Sequence, residues 1–297
     1  MVTRFQRSRK IQTHVIDDGF RVESTSAELG RAVGVTGSTG APGRTFLSIN
    51  LAVAIHALGK RVALVDADPH LGAVAVQLDL AEDRSLVYLA HEAKLRQVDD
   101  TMVSRHIQSA SGLGVLTGRA LAGLGDVVPG SLLADVVGLL RRRYDVVVVD
   151  VGALDCRDSQ QAALLCQLLV WVAVPTKIGT DLLDRTLSGP LASEARTRPS
   201  LMVLNRLRGP SLREVDTTVR RRYGMAVAGA VADHPQSCLQ AEDSARPAAQ
   251  AGPLASPLRR LGLEVASALR ASEAAPEPGL IAVRPKSPTA LAGGGRR

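Results

Sequence analysis

Between residues 31 and 272 the chain alternates short apolar runs, rich in valine, alanine and leucine, with longer segments whose apolar residues recur every three to four positions. The runs cover 32–36, 61–66, 112–117, 145–150, 168–175, 201–205 and 225–231, and each reads as a strand. Strands separated in this way by helical segments predict a three-layer α/β fold, a mostly parallel central sheet flanked by helices on both faces. Three helices have recognisable ends. One, over 45–58, follows a glycine-rich turn and stops at Gly59. A second, over 131–142, sets Leu132, Leu133, Val136, Val137, Leu139 and Leu140 on one broad stripe and closes on three arginines, which suit a helix C-terminus without any ligand. The last, over 254–271, carries Leu258, Leu261, Val265 and Leu269 at helical spacing, a core-packing pattern.

The flanks differ. Residues 1–30 mix charges without a sustained period, and 273–297 are rich in Pro, Gly, Ala and Ser, so one folded domain over 31–272 is expected between an N-terminal tail and a disordered C-terminal tail. With 297 residues, 45% of them hydrophobic, the chain is long enough for one large core. Its longest apolar stretch, 164–175, is interrupted by Gln167 and falls short of the roughly 20 residues a membrane-spanning helix needs. The basic start MVTRFQRSRK leads into no apolar run or cleavage site, so a cytoplasmic protein is expected. Three widely spaced cysteines, Cys156, Cys166 and Cys238, offer no zinc pattern. A net charge of +7 favours an anionic ligand or partner, and 2% aromatic residues argue against stacking platforms for single-stranded nucleic acid.

Residues 32–52, AVGVTGSTGAPGRTFLSINLA, run from an apolar strand through a glycine-rich loop into a helix. Such a loop binds phosphate. Glycines at 37, 40 and 43 let backbone N–H groups approach an anion, the helix N-terminus adds its partial positive charge, and Thr45 is placed to offer a hydroxyl to Mg²⁺. Two further strands end in acids: RVALVDADP brings Asp66 and Asp68, and YDVVVVD brings Asp150. Carboxylates at the C-terminal ends of strands lie where open α/β sheets bind ligands, although Asp66 and Asp68 are equally suited to capping the following turn at Pro69.

The loop resembles two families. Read as G-x-x-G-x-x-G from Gly37 to Gly43, it is similar to the nucleotide loop of atypical short-chain dehydrogenases, including NmrA-like regulators that bind NADP. Active members pair Tyr with Lys four residues on, whereas Tyr88, Tyr144 and Tyr223 are followed there by Glu92, Val148 and Val227; only a non-catalytic NADP-binding regulator survives that test. Read as GAPGRTFLSINLA, with Asn50, Leu51 and Ala52 in an N-L-A signature, it resembles the deviant Walker A loop of the ParA/MinD superfamily, and its A-P-G-R-T ending resembles CpaE/TadZ-like members. Asp66 with Asp68, Asp150 and Asn205 follow in that superfamily's order over residues 31–270, and the order makes the P-loop NTPase resemblance specific.

That resemblance implies ATP with Mg²⁺ as ligands. Gly40, Ala41, Gly43, Arg44, Thr45, Phe46 and Asn205 would hold the nucleotide, with Asn205 bonding the adenine; Thr45, Asp66 and Asp150 would serve the metal; Asp68 and Arg44 would serve hydrolysis. It further implies a homodimer, a protein partner and a role in positioning or assembling a cellular structure, a pilus or secretion system in the CpaE/TadZ case, with recruitment to a cell pole or membrane-associated complex. A ParA-like DNA-partition ATPase is the alternative within the superfamily, with the arginines at 220–222 as a contact for DNA of any sequence. The chain departs from the pattern at three places. Arg44 replaces the Walker lysine, Thr39 replaces the signature lysine that reaches across a dimer to the partner's nucleotide, and Phe46 replaces a second threonine. A guanidinium forks onto phosphate oxygens but does not reproduce a compact ammonium contact, so nucleotide binding with weak or lost hydrolysis is expected. His70, after the acidic pair, is expected to be a surface-loop residue.

Overall fold

Strands and helices alternate in the computed structural model, which describes residues 29–68, 72–118, 128–208 and 212–272. The expected tails, apart from residues 29–30, and the readings at Pro69 and His70 lie outside the described residues. The chain begins with β1 (Arg31–Gly37), α1 (Arg44–His56), β2 (Val62–Asp66), α2 (Val74–Gln77), α3 (Leu86–Glu92) and α4 (Asp100–His106). A hairpin of β3 (Gln108–Ala110) and β4 (Leu113–Leu116) precedes α5 (Gly130–Arg143), β5 (Val146–Ala153), α6 (Arg157–Leu164) and β6 (Leu168–Ala173). Then come α7 (Lys177–Ser188), α8 (Pro190–Ala195), β7 (Ser200–Leu207), α9 (Leu212–Tyr223), β8 (Ala226–Ala232), α10 (Pro235–Asp243) and α11 (Ala255–Ala271).

The eight strands form one sheet in the order β3-β4-β2-β5-β1-β6-β7-β8, parallel except for the edge pair β3–β4. All seven strands expected from the sequence are present. The eighth, β3, was not foreseen: it is three residues long, QSA, and is formed by a tight turn in which Ser111 and Gly112 both take left-handed φ, 52° and 82°, as hairpin turns that match strand twist require. In a dinucleotide-binding sheet of order 3-2-1-4-5-6 the first two strands are neighbours; here β5 stands between β1 and β2.

Central strands are buried on both faces, β5 at every one of its eight positions. One apolar layer joins the sheet to α3–α8 through Leu89, Met102, Val136, Leu140, Trp171 and Leu183; the other joins it to α1 and α11 through Leu47, Leu51, Ile55, Leu258, Leu261 and Val265. The four apolar positions expected to pack from the last helix are all buried. The arginines closing α5 serve structure: Arg141 Nε donates to Gly30 O at 2.6 Å, and Arg143 lies 3.4 Å from Asp100. This frame brings the C-terminal ends of β1, β2 and β5 together, with Asp66 and Asp150 directly paired across neighbouring strands.

Candidate functional site

The turn after β1 forms because its backbone visits conformations that side chains resist. Gly40, Ala41 and Gly43 have φ of 83°, 51° and 94°. A methyl on Gly43 would stand 2.3 Å from the Asn205 amide nitrogen, and one on Gly37 would stand 2.6 Å from Val172 O. Gly43 is the N-cap of α1, and neither a capping side chain nor an acidic residue serves the first turn of that helix. Its leading N–H groups therefore remain available to an anion. They open on a cleft of about 980 Å³ whose walls include residues 38–46, Asp68, Asn205 and the ends of β6, β7 and β8.

Arg44 folds back onto its own loop. Nη1 donates to Ser38 O at 2.5 Å, and Nε is buried without a hydrogen-bond partner among the described residues. Thr39 is exposed at the rim. Asn205 is buried, and its amide donates to Pro42 O at 2.8 Å, so this side chain braces the phosphate loop. Because a carbonyl oxygen only accepts, the amide nitrogen faces Pro42 and leaves Oδ1 as an acceptor.

Beneath the loop lie two fully buried carboxylates. Asp66 Oδ1 accepts from Asp68 N and Oδ2 from Val74 N, each at 3.2 Å. Asp66 thus accepts from the amide at the start of α2, while the turn at Pro69 that it was expected to cap lies outside the described residues. Methyl groups on Gly72 or Gly118 would meet the Asp66 carboxylate or its backbone at 2.7 and 2.6 Å, so glycines make room for it. Asp150 differs: neither of its oxygens has a hydrogen-bond partner among the described residues. Burial drives the pKa of Asp66 well above the carboxylate range, with the Asp150 charge adding to the shift, although the Val74 and Asp68 amides oppose it. Burial likewise pushes Asp150 up to about 6, while the nearby Thr45 and Ser48 hydroxyls and the Arg44 charge pull it down and Asp68 raises it. Those hydroxyls are close enough to act electrostatically without reaching hydrogen-bond geometry, since Ser48 Oγ donates to Arg44 O instead.

A buried, unpartnered carboxylate beside a hydroxyl at a helix N-terminus fits a hard cation that prefers oxygen ligands and keeps several waters. Among the described residues no cluster of three or more acidic, His or Cys side chains could hold a metal by itself. The arrangement suits an ion that takes its remaining ligands from phosphate and water. Asp68 lines the cleft above this pair, with Gly152, at φ 75°, leaving room for its carboxylate.

The structure thus gathers all the predicted site residues at one sheet edge, Asp66 and Asp150 beneath the cleft and the rest in its wall. Sequence reasoning missed the opposite wall: Thr176 and Ile178 after β6, Arg206 in β7, and His234, Cys238 and Leu239 after β8. The signal was present, because ligands gather beyond the C-terminal ends of parallel strands and β6 and β8 had been placed. The arginine run at 220–222 is largely occupied: Arg220 pairs with Asp216 and Arg222 with Asp184.

Comparison with known proteins adds four likenesses. Residues 33–243 match the family described as the CobQ/CobB/MinD/ParA nucleotide binding domain. The septum site-determining protein MinD of Bacillus subtilis (strain 168) is 26% identical over 189 residues, 64% of this chain and 69% of that protein. The cell division ATPase MinD of Pyrococcus furiosus superposes with a TM-score of 0.67 at 22% identity, covering 81% of this chain and 100% of that one. The septum site-determining MinD of Pyrococcus horikoshii OT3, solved with Mg-ADP, gives 0.68 at 19% identity, covering 82% and 99%. At such identities the two structures speak for the fold.

Proposed function

Because this chain belongs to the CobQ/CobB/MinD/ParA nucleotide-binding domain family, we propose that its cleft takes an adenine nucleotide with Mg²⁺ and that the loaded protein positions or assembles a cellular structure. The observation that carries the ligand half is Asp150, a buried carboxylate whose two oxygens have no hydrogen-bond partner among the described residues, beneath the uncapped N-terminus of α1. The Mg-ADP in the Pyrococcus horikoshii relative supports the same reading.

In this reading the N–H groups of residues 43–46 hold phosphate oxygens, and Arg44 leaves Ser38 O to add its charge. Thr45 and Asp150 hold the ion, Asp150 through water, while Asp66 contributes charge from behind. Mg²⁺, when bound, supplies neutralisation of the phosphate oxygens. Asp68, in the cleft wall, orients water toward the terminal phosphate. Asn205 keeps the loop in register through Pro42 and presents Oδ1 to the base. Hydrolysis is slow, because a guanidinium engaged with its own loop replaces a compact ammonium at position 44 and an uncharged side chain stands at position 39.

The cellular role rests on the A-P-G-R-T loop ending, which favours a CpaE/TadZ-like protein that localises a pilus or secretion apparatus with a protein partner, working as a homodimer near a pole or membrane-associated complex. No helix of the described residues is long and apolar enough to cross a membrane. DNA partition draws less support, since ion pairs engage two of the three arginines at 220–222. An NADP-binding regulator draws less still, because the strand order is not the dinucleotide-binding one.

Calorimetry tests the ligand. MgATP and MgADP are expected to bind more tightly than NADPH, and chelation of Mg²⁺ to weaken them. NADPH binding more tightly than either would overturn the proposal.

A further inference from the structure

The end of β5 leaves the regular ladder just after Asp150. Along β1 the pairing passes from Val35 to Thr36, while along β5 it passes from Asp150 to Gly152, so β5 carries one extra residue there, Val151. An extra residue of this kind bends a strand and re-aims its side chains, and it is common beside active sites. Val151 stays in the apolar layer shared with α3–α8. Gly152 takes φ 75°, backbone that a side chain disfavours.

Two hydrogen bonds fasten this turn to the strand that leads into the phosphate loop. Thr36 is fully buried and donates from Oγ1 to Gly152 O at 3.0 Å. Leu154 N donates to Gly37 O at 3.4 Å. Val33 and Val35 on the same strand are equally buried, so packing alone is served there by valine. A hydroxyl in such a place costs free energy unless it is bonded, and the Gly152 carbonyl is what it bonds.

The backbone held in this way lies against Asp68. A methyl on Gly152 would stand 2.6 Å from Asp68 Cγ and Oδ2 and 3.1 Å from Asp68 Cβ. The main chain of β2 is fixed from the other side, because Ala67 N donates to Asp150 O at 2.9 Å and Asp68 N to Asp66 Oδ1 at 3.2 Å. The Asp68 carboxylate, at the tip of a short side chain, is therefore the part that would yield to added bulk at position 152. Of the three carboxylates at these strand ends, Asp68 is the one in the cleft wall.

We propose that Gly152 and Thr36 are positioning residues for Asp68. Gly152 leaves the space that the Asp68 carboxylate occupies, and the Thr36 hydroxyl holds the left-handed turn that keeps Gly152 there. The inference rests on the reading of Asp68 as the group that orients water. Its test uses the full chain with Gly152→Ala, Thr36→Val, Thr36→Ser, Asp68→Asn and the pair Gly152→Ala with Asp68→Asn. Phosphate release from MgATP is followed in a single turnover, MgATP affinity by calorimetry and folding by thermal melting.

Gly152→Ala is expected to release phosphate about as slowly as Asp68→Asn, roughly ten- to a hundredfold below the unaltered protein, the scale of loss that a misplaced group causes. MgATP affinity should not change, and the paired variant should be no slower than Asp68→Asn alone, since both changes remove one function. Thr36→Val, which keeps the bulk and loses the hydroxyl, should be slow; Thr36→Ser, which loses the methyl and keeps the hydroxyl, should melt lower yet release phosphate as the unaltered protein does. Full release by Gly152→Ala would overturn the proposal, and so would a further loss in the paired variant or a parallel loss of MgATP affinity, which would make Gly152 a brace for the whole site. Where Gly152→Ala does not fold, the threonine variants decide, and equal release by Thr36→Val and Thr36→Ser would overturn the proposal. Release by the unaltered protein no faster than by Asp68→Asn would overturn the role of Asp68 and the positioning together, leaving MgATP binding standing. Failure to bind MgATP would overturn the nucleotide reading itself.

Discussion

Asp150 is held at a cost that the proposed Mg²⁺ would relieve. Its pKa is pushed up to about 6 by burial, against about 3.9 in an unfolded chain. A folded-state pKa raised above the unfolded one favours the protonated carboxyl in the fold. The penalty is absent below about pH 4, grows between about 4 and 6, and is complete above 6. A gap of about two units corresponds to about 3 kcal/mol. Replacing Asp150 by Asn is therefore expected to raise the melting temperature of the nucleotide-free protein at pH 7.5. That gain should shrink with falling pH and disappear near pH 4. The same variant should bind MgATP no better than the unaltered protein binds ATP in a chelator. A thermal gain equal at pH 4 and 7.5 would show that no ionised carboxylate is being held there.

Helix α1 carries the phosphate loop, and its seating depends on one close crossing with α11. A methyl on Gly262 would stand 2.6 Å from Ala54 Cβ and 3.1 Å from the Ala54 carbonyl carbon. Overpacking of this kind costs about 1–3 kcal/mol. Gly262→Val is expected to lower the denaturation midpoint accordingly, and Gly262→Ala together with Ala54→Gly to recover part of the loss by moving the methyl to the other helix. Equal stability of Gly262→Val and the unaltered chain would mean that the helices do not meet tightly. The elements themselves were legible to different degrees. Strands buried on both faces announce themselves as apolar runs, and helices of 13 to 17 residues such as α1, α5 and α11 show their period. The polar β3 and the four-residue α2 carry no such signal, because pairing and burial elsewhere create them. In the site, Gly40, Gly43, Thr45, Asp66, Asp68 and Asp150 were legible because loop chemistry and strand ends are local patterns. The bond between Asn205 and Pro42 spans 163 positions, and Arg206 takes a left-handed φ of 55° at an irregular point of β7 with no glycine to mark it. Neither is written in any local stretch. The arginines at 220–222 illustrate the converse: a basic run is easy to see, and Asp216 stands one turn before Arg220 on the same helix, while Asp184 on α7, which engages Arg222, is brought in by packing.

At the scale of the whole molecule, the position of Thr39 bears on assembly. The superfamily resemblance places there a lysine that reaches a partner's nucleotide and neutralises phosphate charge across the interface, a contact of the kind that is worth several kcal/mol where water is excluded. Thr39 is exposed at the cleft rim but short and uncharged, and Arg44 is turned toward Ser38 O within its own loop. Any dimer of this chain is therefore expected to depend little on ATP, and phosphate release to be slow. Installing Thr39→Lys with Arg44→Lys should supply the missing neutralisation and raise ATP turnover. Light scattering should then show dimers that appear only with MgATP. Adding Asp68→Ala to that pair should abolish the gained turnover, because water would lose its orienting carboxylate while both lysines remain. The comparison that decides is made on the unaltered chain. Vigorous phosphate release together with strictly ATP-dependent dimerisation would show that Arg44, freed from Ser38 O, already does the work of both lysines.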